Sequence, residues 1–164
     1  MPDLRGDVRV RPAGEGDRAA VAGVLARSWG GTVIAVHGTR YHALDLPALL
    51  AERDGRLAGV LTYAVDGDGL EVVTLDAVER RAGVGSALLA AAAQAARAAG
   101  MRRLWLVTTN DNLDALRFYQ RRGLRITAVA PGAVDTARSL KPAIPLTGDY
   151  GIPLHDELTL ALPL

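Results

Sequence analysis

Two glycines one residue apart, Gly83 and Gly85, mark the most specific chemistry in this chain. They follow the apolar, β-branched run 70–78, which reads as a buried strand, and precede the helix-favouring run 87–99, which Gly100 is placed to stop. Strand, glycine turn and helix together form a device for holding phosphate. Glycine lets the backbone approach an anion closely, successive N–H groups point inward, and the helix N-terminus adds partial positive charge. The spacing excludes two common phosphate binders. A dinucleotide fingerprint needs a small residue three places after the second glycine, where Leu88 stands, and no Gly-Lys-Ser/Thr is present to make a P-loop. Of the titratable side chains, His37 and His42 have an ordinary pKa near neutrality and fall in residues 37–47, which read as a loop of polar and aromatic character. His155, Asp156 and Glu157 are adjacent, and strand alternation sends neighbours to opposite faces, so they are not expected to converge on a metal.

The elements that position these residues follow from periodicity and turn chemistry. Residues 8–11 alternate as a first strand ended by Pro12, and residues 18–28 carry Val21, Val24 and Leu25 on one helical face. After the break at Trp29-Gly30-Gly31 comes a short β-type run, 32–36. Residues 49–53 and 56–65 form a hairpin about Asp54-Gly55, and Asp66-Gly67-Asp68-Gly69 turns into the strand 70–78. A strand is expected at 104–109, a helix at 113–122 capped by Asn112 and ended by Gly123, and a strand at 124–130. A short helix at 134–140, a loop at 141–153 and a last strand at 158–162 complete the chain. Hairpins followed by strand–helix–strand–helix–strand imply one α/β domain over residues 1–164, a mixed central β-sheet with helices on both faces.

The second half of the chain adds a further motif. Asn112, Ala115, Phe118, Tyr119 and Gly123 match the pattern Asn-x-x-Ala-x-x-Phe-Tyr-x-x-x-Gly-Phe, with Leu124 at the final Phe, and Arg80 to Gly85 match Arg/Gln-x-x-Gly-x-Gly/Ala. Two motifs in this order, with these elements between them, resemble the GNAT-type N-acetyltransferases. The architecture agrees over about residues 8–130 and the motifs over about 72–124.

That resemblance implies acetyl-CoA as co-substrate and an amine as acceptor, with no metal. It assigns the pyrophosphate to the backbone N–H groups of Arg81, Ala82, Gly83, Val84, Gly85 and Ser86, with Arg80 as a turn-stabilising or phosphate-facing charge. The strand around Leu75 to Ala77 would pair with the pantetheine arm, a backbone N–H there polarising the thioester carbonyl. Asn112 would hydrogen-bond the pantetheine, or serve its own helix as N-cap. Tyr119 would donate a proton to the leaving thiolate. Glu71, four residues before Leu75 and hence expected on its face, resembles the family's strand glutamate as general base. Trp29, His37 and Tyr41 are expected about the acceptor, with the loop 140–152 and Tyr150; Asp149, Asp156 and Glu157 could attract a cation.

Composition limits the alternatives. With 19 basic and 18 acidic residues the net charge is +1, which gives no nucleic-acid surface and no steering to a charged membrane. Arginines 102, 103, 121, 122 and 125 cluster largely at helix ends, where they complement dipoles. The chain has no cysteine, which removes disulfides and thiolate nucleophiles and leaves direct attack in a ternary complex. A cytoplasmic protein acting on a small-molecule amine is expected. The alternatives are a silent acyl-CoA-binding domain and an enzyme for protein termini or lysines. A homodimer through the last strand or the loop 141–153 is possible in such a fold.

Overall fold

The computed structural model describes residues 7–78 and 83–164. Arg80, Arg81 and Ala82, three of the expected phosphate contacts, lie outside the described residues. In chain order the elements are β1 (Val8–Pro12), α1 (Arg18–Trp29), β2 (Val33–Val36), β3 (Thr39–His42), β4 (Ala48–Arg53), β5 (Arg56–Asp66), β6 (Gly69–Ala77), α2 (Val84–Ala98), β7 (Arg103–Thr109), α3 (Leu113–Arg121), β8 (Arg125–Ala130), α4 (Ala133–Leu140) and β9 (Glu157–Pro163). Seven strands form one sheet in the order β1-β4-β5-β6-β7-β9-β8, and β2 and β3 pair separately. Within the sheet β6 and β7 run parallel and every other neighbouring pair is antiparallel. The β4–β5 hairpin closes on Asp54 and Gly55, both at positive φ, the geometry of a two-residue turn that matches strand twist.

One face of the sheet is covered by α2 and α3. Leu70, Val72, Leu104, Leu106 and Leu160 from the strands meet Leu88, Leu89, Ala92 and Ala96 from α2, all buried. Alanines let α2 lie close to the strands, and Gly59 on β5 completes the fit. A Cβ there would stand 2.5 Å from Val84 Cγ1 and 2.9 Å from the Asp76 carbonyl oxygen. The opposite face packs Val21, Val24 and Leu25 of α1 and Ile34 of β2 against Leu50, Val60 and Val73. Helices therefore lie on both faces of a mixed sheet, as expected.

Two expectations are corrected here. Residues 37–47 are not a plain loop: Thr39–His42 form β3, which pairs with β2 across a turn at His37 and Gly38. The last strand cannot offer a free edge to a second copy, because β9 is paired by β7 on one side and β8 on the other. Among the described residues the sheet's edges are β1 and β8.

Two irregularities in β6 shape the centre of the molecule. Thr62 pairs with Thr74 but Tyr63 pairs with Val72, so β6 carries an extra residue, Val73. Such a bulge reverses the alternation beyond it. Leu75 faces α2, packed against its core, whereas Glu71 faces the β2–β3 hairpin, so the expectation that both share a face is wrong. The second irregularity concerns β7. The parallel pairing ends at Val72 with Leu106, although β6 continues to Ala77 and β7 to Thr109. From Val73 onward β6 pairs only with β5, and a wedge opens between two neighbouring strands.

Candidate active site

Glu71 stands just before that wedge and is almost wholly buried. Its Oε1 lies 2.6 Å from His37 Nε2, and its Oε2 accepts from the Tyr41 hydroxyl at 2.7 Å. The β2–β3 hairpin supplies both partners, so the hairpin delivers a histidine and a phenol to a carboxylate buried in the sheet. Hydrogen bonding to Glu71, and its charge, raise the His37 pKa despite burial. Burial and the same carboxylate push the Tyr41 phenol up. Of the ion pair, His37 is the accessible member, its side chain 29% exposed against 2% for Glu71. A proton arriving from outside meets the imidazole first. The tip of the hairpin is held by Glu157 of β9, whose carboxylate accepts from the His37 backbone N–H at 3.1 Å. Behind His37 lies the Trp105 ring, at 5.4 Å between centroids.

On the other side of the sheet α3 presents Tyr119. It is buried, stacked edge-on to Phe118, and its hydroxyl takes no hydrogen bond from a described residue. Burial, with the nearby charge of Asp76, raises its pKa and keeps it protonated. Asp76, near the end of β6, accepts from Trp29 Nε1 at 2.8 Å, and desolvation raises its own pKa. The charge of Asp76 therefore reaches the face that carries Tyr119.

The glycine turn enters α2 at Gly83, whose φ of 78° falls in the left-handed region that glycine tolerates. No side chain caps this helix, which leaves its first N–H groups unclaimed within the helix. Gly85 has another duty: a Cβ there would lie 3.1 Å from Phe118 Cζ. Arg122 fastens the same corner. Its Nε donates to Ser86 Oγ at 2.7 Å, and its guanidinium covers the Phe118 ring at 3.7 Å. The candidate site thus has four parts: a wedge between strands, the glycine-led N-terminus of α2, a buried carboxylate–imidazole pair on one face and a protonated phenol on the other.

Residues 25–124 match the model of the Acetyltransferase (GNAT) family, a stretch that contains the wedge, the turn and α3. The chain belongs to the GNAT acetyltransferase family. It is 37% identical over 145 residues to the uncharacterized protein YxbD of Bacillus subtilis (strain 168), covering 88% of this chain and 91% of that one. In fold it resembles an IAA acetyltransferase from Bacillus cereus ATCC 14579, with a TM-score of 0.75 and 20% identity over 96% of this chain and 100% of that one. A Bacillus subtilis acetyltransferase in complex with CoA gives a TM-score of 0.69 at 19% identity, covering 96% and 99%.

Within this GNAT fold the remaining expected residues are distributed as follows. Asn112 caps α3, its Oδ1 accepting from Ala115 N–H at 3.4 Å while Nδ2 donates to Thr108 Oγ1 at 3.1 Å. Trp29 reaches Asp76, Tyr41 reaches Glu71, and Tyr150 leaves the group to donate to Asp114 at the start of α3. His155 and Asp156 precede β9 and do meet, Nδ1 to Oδ2 at 2.7 Å, contrary to the alternation argument, because the strand begins only at Glu157. Among the described residues no group of three metal-ligating side chains forms. No described helix is long and apolar enough to cross a membrane. Asp76 was not singled out by sequence reasoning. It shares a face with Glu71 only because of the bulge, and no pattern announces a bulge at Val73.

Proposed function

We propose that this GNAT domain transfers an acetyl group from acetyl-CoA to the primary amine of a small molecule, by direct attack in a ternary complex. The observation that carries the reading is the wedge between β6 and β7, which leaves one edge of residues 73–77 without a strand partner, close to the start of α2, since Val84 and the Asp76 carbonyl both crowd Gly59. That edge fits an extended amide-bearing chain, and the unclaimed N–H groups of Val84, Gly85 and Ser86 fit its pyrophosphate. Acetyl-CoA supplies an acyl carbonyl bound to a good leaving group.

The residues then divide the work. Backbone groups at Leu75 and Ala77 hold the arm, and an N–H of this edge faces the carbonyl oxygen on which charge develops. The Glu71–His37 pair takes the proton lost by the attacking amine, His37 being the accessible member and Glu71 orienting it and balancing its charge. Tyr119, held protonated, donates a hydrogen bond to the departing sulfur. The thiolate of a thiol with a pKa near 8.5 is a weaker base than a tyrosinate, so stabilising the thiolate by that bond is the easier part of the role. Asn112 would exchange Thr108 for a pantetheine amide, and Arg80 to Ala82 complete the phosphate turn. Trp29 and Tyr41 flank the acceptor.

Calorimetric titration with acetyl-CoA, followed by thiol release against a panel of amines, tests this reading. Binding with release for a class of small amines is the expected result. Binding without release would make the domain an acyl-CoA sensor, and no binding would overturn the assignment.

A further inference from the structure

Glu157 is a buried ionisable group that the proposed chemistry leaves unused. It is 4% exposed, on the first position of β9. Its two oxygens share a single described donor, the His37 backbone N–H, at 3.1 and 3.3 Å. A carboxylate has about four acceptor positions. Among the described residues no lysine, arginine or histidine side chain forms an ion pair with it. A buried charge without a partner is costly, and proteins pair it or protonate it.

The space beside this carboxylate is open. Glu157 lines a cavity of about 280 Å³ together with His37 and Gly38 of the hairpin turn, Val107 and Thr159 of the sheet, and Ala133 and Thr136 of α4. Every other lining side chain is small, so the cavity's one charged anchor apart from the histidine is Glu157. Val107 is the first residue of β7 beyond the last one paired with β6, so the cavity's lining includes a residue from the β7 side of the wedge. His37 belongs to both the cavity and the pair with Glu71. A molecule in the cavity therefore has the proton acceptor beside it and an unpaired carboxylate within reach. The volume lies near the lower end for small-ligand pockets, roughly 300 Å³, and suits a compact guest.

We propose that this cavity is the acceptor subsite and that Glu157 binds a second cationic nitrogen of the acceptor, so that the favoured substrate is a compact amine bearing two cationic nitrogens. This rests on the acetyltransferase reading above. One nitrogen pairs with Glu157, and the other, relieved of its proton by His37 and Glu71, is the one acylated. A monoamine fills the same space but leaves the carboxylate unpaired, and that difference is what the site reads.

The test compares straight-chain diamines, from diaminopropane to diaminohexane, with monoamines and amino alcohols of equal length. For the best-fitting length kcat/KM for the diamine exceeds both analogues by about tenfold or more, the worth of one charge-assisted hydrogen bond. In Glu157→Gln, which keeps an oxygen for the His37 N–H but removes the charge, that ratio falls to within about threefold of unity. Equal use of diamine and monoamine by the native protein, or a preference that survives in E157Q, overturns the proposal. Calorimetry of the diamine alone separates it from the transferase reading. Diamine binding that E157Q abolishes, in a protein that ignores acetyl-CoA, would sustain the subsite and sink the transferase. Acetyl-CoA binding with no discrimination among amines would do the reverse. Ala133→Leu provides a second variant that fills the cavity from α4. It loses the diamine while retaining acetyl-CoA, and undiminished diamine binding there would place the subsite elsewhere.

Discussion

Both oxygens of Glu71 are already bonded within the protein, one to His37 and one to Tyr41, so its chemistry runs through those partners. The pair must lose its proton before it can accept another from an amine, and Glu71 raises the His37 pKa above its ordinary value of 6.5. Activity should therefore rise with pH along a limb centred above 6.5. In Glu71→Gln the largest raising influence, the hydrogen bond and charge of Glu71, vanishes, while desolvation, which lowers the pKa, and the smaller raising effects of a backbone hydrogen bond and the Glu157 charge remain. The limb moves down toward or below that value, with a loss of rate of about a hundredfold, in the range of general-base contributions. The profile of kcat/KM, corrected for the acceptor's own titration, reads this directly; an unmoved limb would remove the pair from the proton path. Tyr119 makes a different prediction. Its hydroxyl has no described hydrogen-bond partner, so Tyr119→Phe leaves packing intact and costs turnover by about tenfold or more, with acetyl-CoA affinity nearly unchanged. Rapid-quench turnover beside calorimetry separates the two effects.

At the scale of elements, the site depends on how closely α2 approaches the sheet. Gly59 makes that approach possible, and one of the atoms its Cβ would strike is the backbone carbonyl of Asp76, which cannot turn aside. Gly59→Ala should destabilise the fold by about 1–3 kcal/mol, the usual cost of overpacking, as denaturant unfolding would show. Unchanged stability would mean that α2 has slack at its N-terminus. A second set of ties holds the far end of the wedge. Asp111, buried after β7, accepts from the Thr109 hydroxyl and from the Asp149 backbone N–H, while Asn110 bonds to residues 153, 155 and 156. Gly148 lies so close to Asp111 that no side chain fits there. On the opposite face Lys141 donates to the carbonyls of Trp29 and Val33, joining the end of α4 to the entry of the β2–β3 hairpin. The two Lys141 bonds tie the entry of the hairpin that carries His37 and Tyr41 to an element distant in sequence.

At the scale of the whole molecule, acetyl-CoA would sit between strands and against α2, bridging the two halves of the sheet. A ligand that binds only the folded chain stabilises it by about 2.7 kcal/mol at a hundred times its dissociation constant. For a chain of this size that raises the melting temperature by about 5–10 °C. A thermal scan with and without acetyl-CoA measures it, and no shift at saturating ligand would contradict a site built across the wedge.

The order of elements apart from β3, the hairpin at Asp54-Gly55, the helix ends at Gly100 and Gly123 and the N-cap at Asn112 are local matters, whereas the start of α2 at Val84 lies three residues before the expected run. Turn residues, caps and hydrophobic period act over a few neighbours, and the sequence alone determined them. It also determined the family, because two motifs with fixed spacing carry backbone requirements that few other chains satisfy. The tertiary structure decided what lies at long range. The bulge at Val73 depends on β5 pairing, and it turned Glu71 away from Leu75 and brought Asp76 round to the face of Glu71. The strand within residues 37–47 exists because β2 pairs with it and Glu157 holds its turn. The insertion of β9 between β7 and β8 set Glu157 beside His37, about 120 residues apart in the chain. Such meetings are fixed by pairing register and packing across the sheet, to which no window of sequence has access.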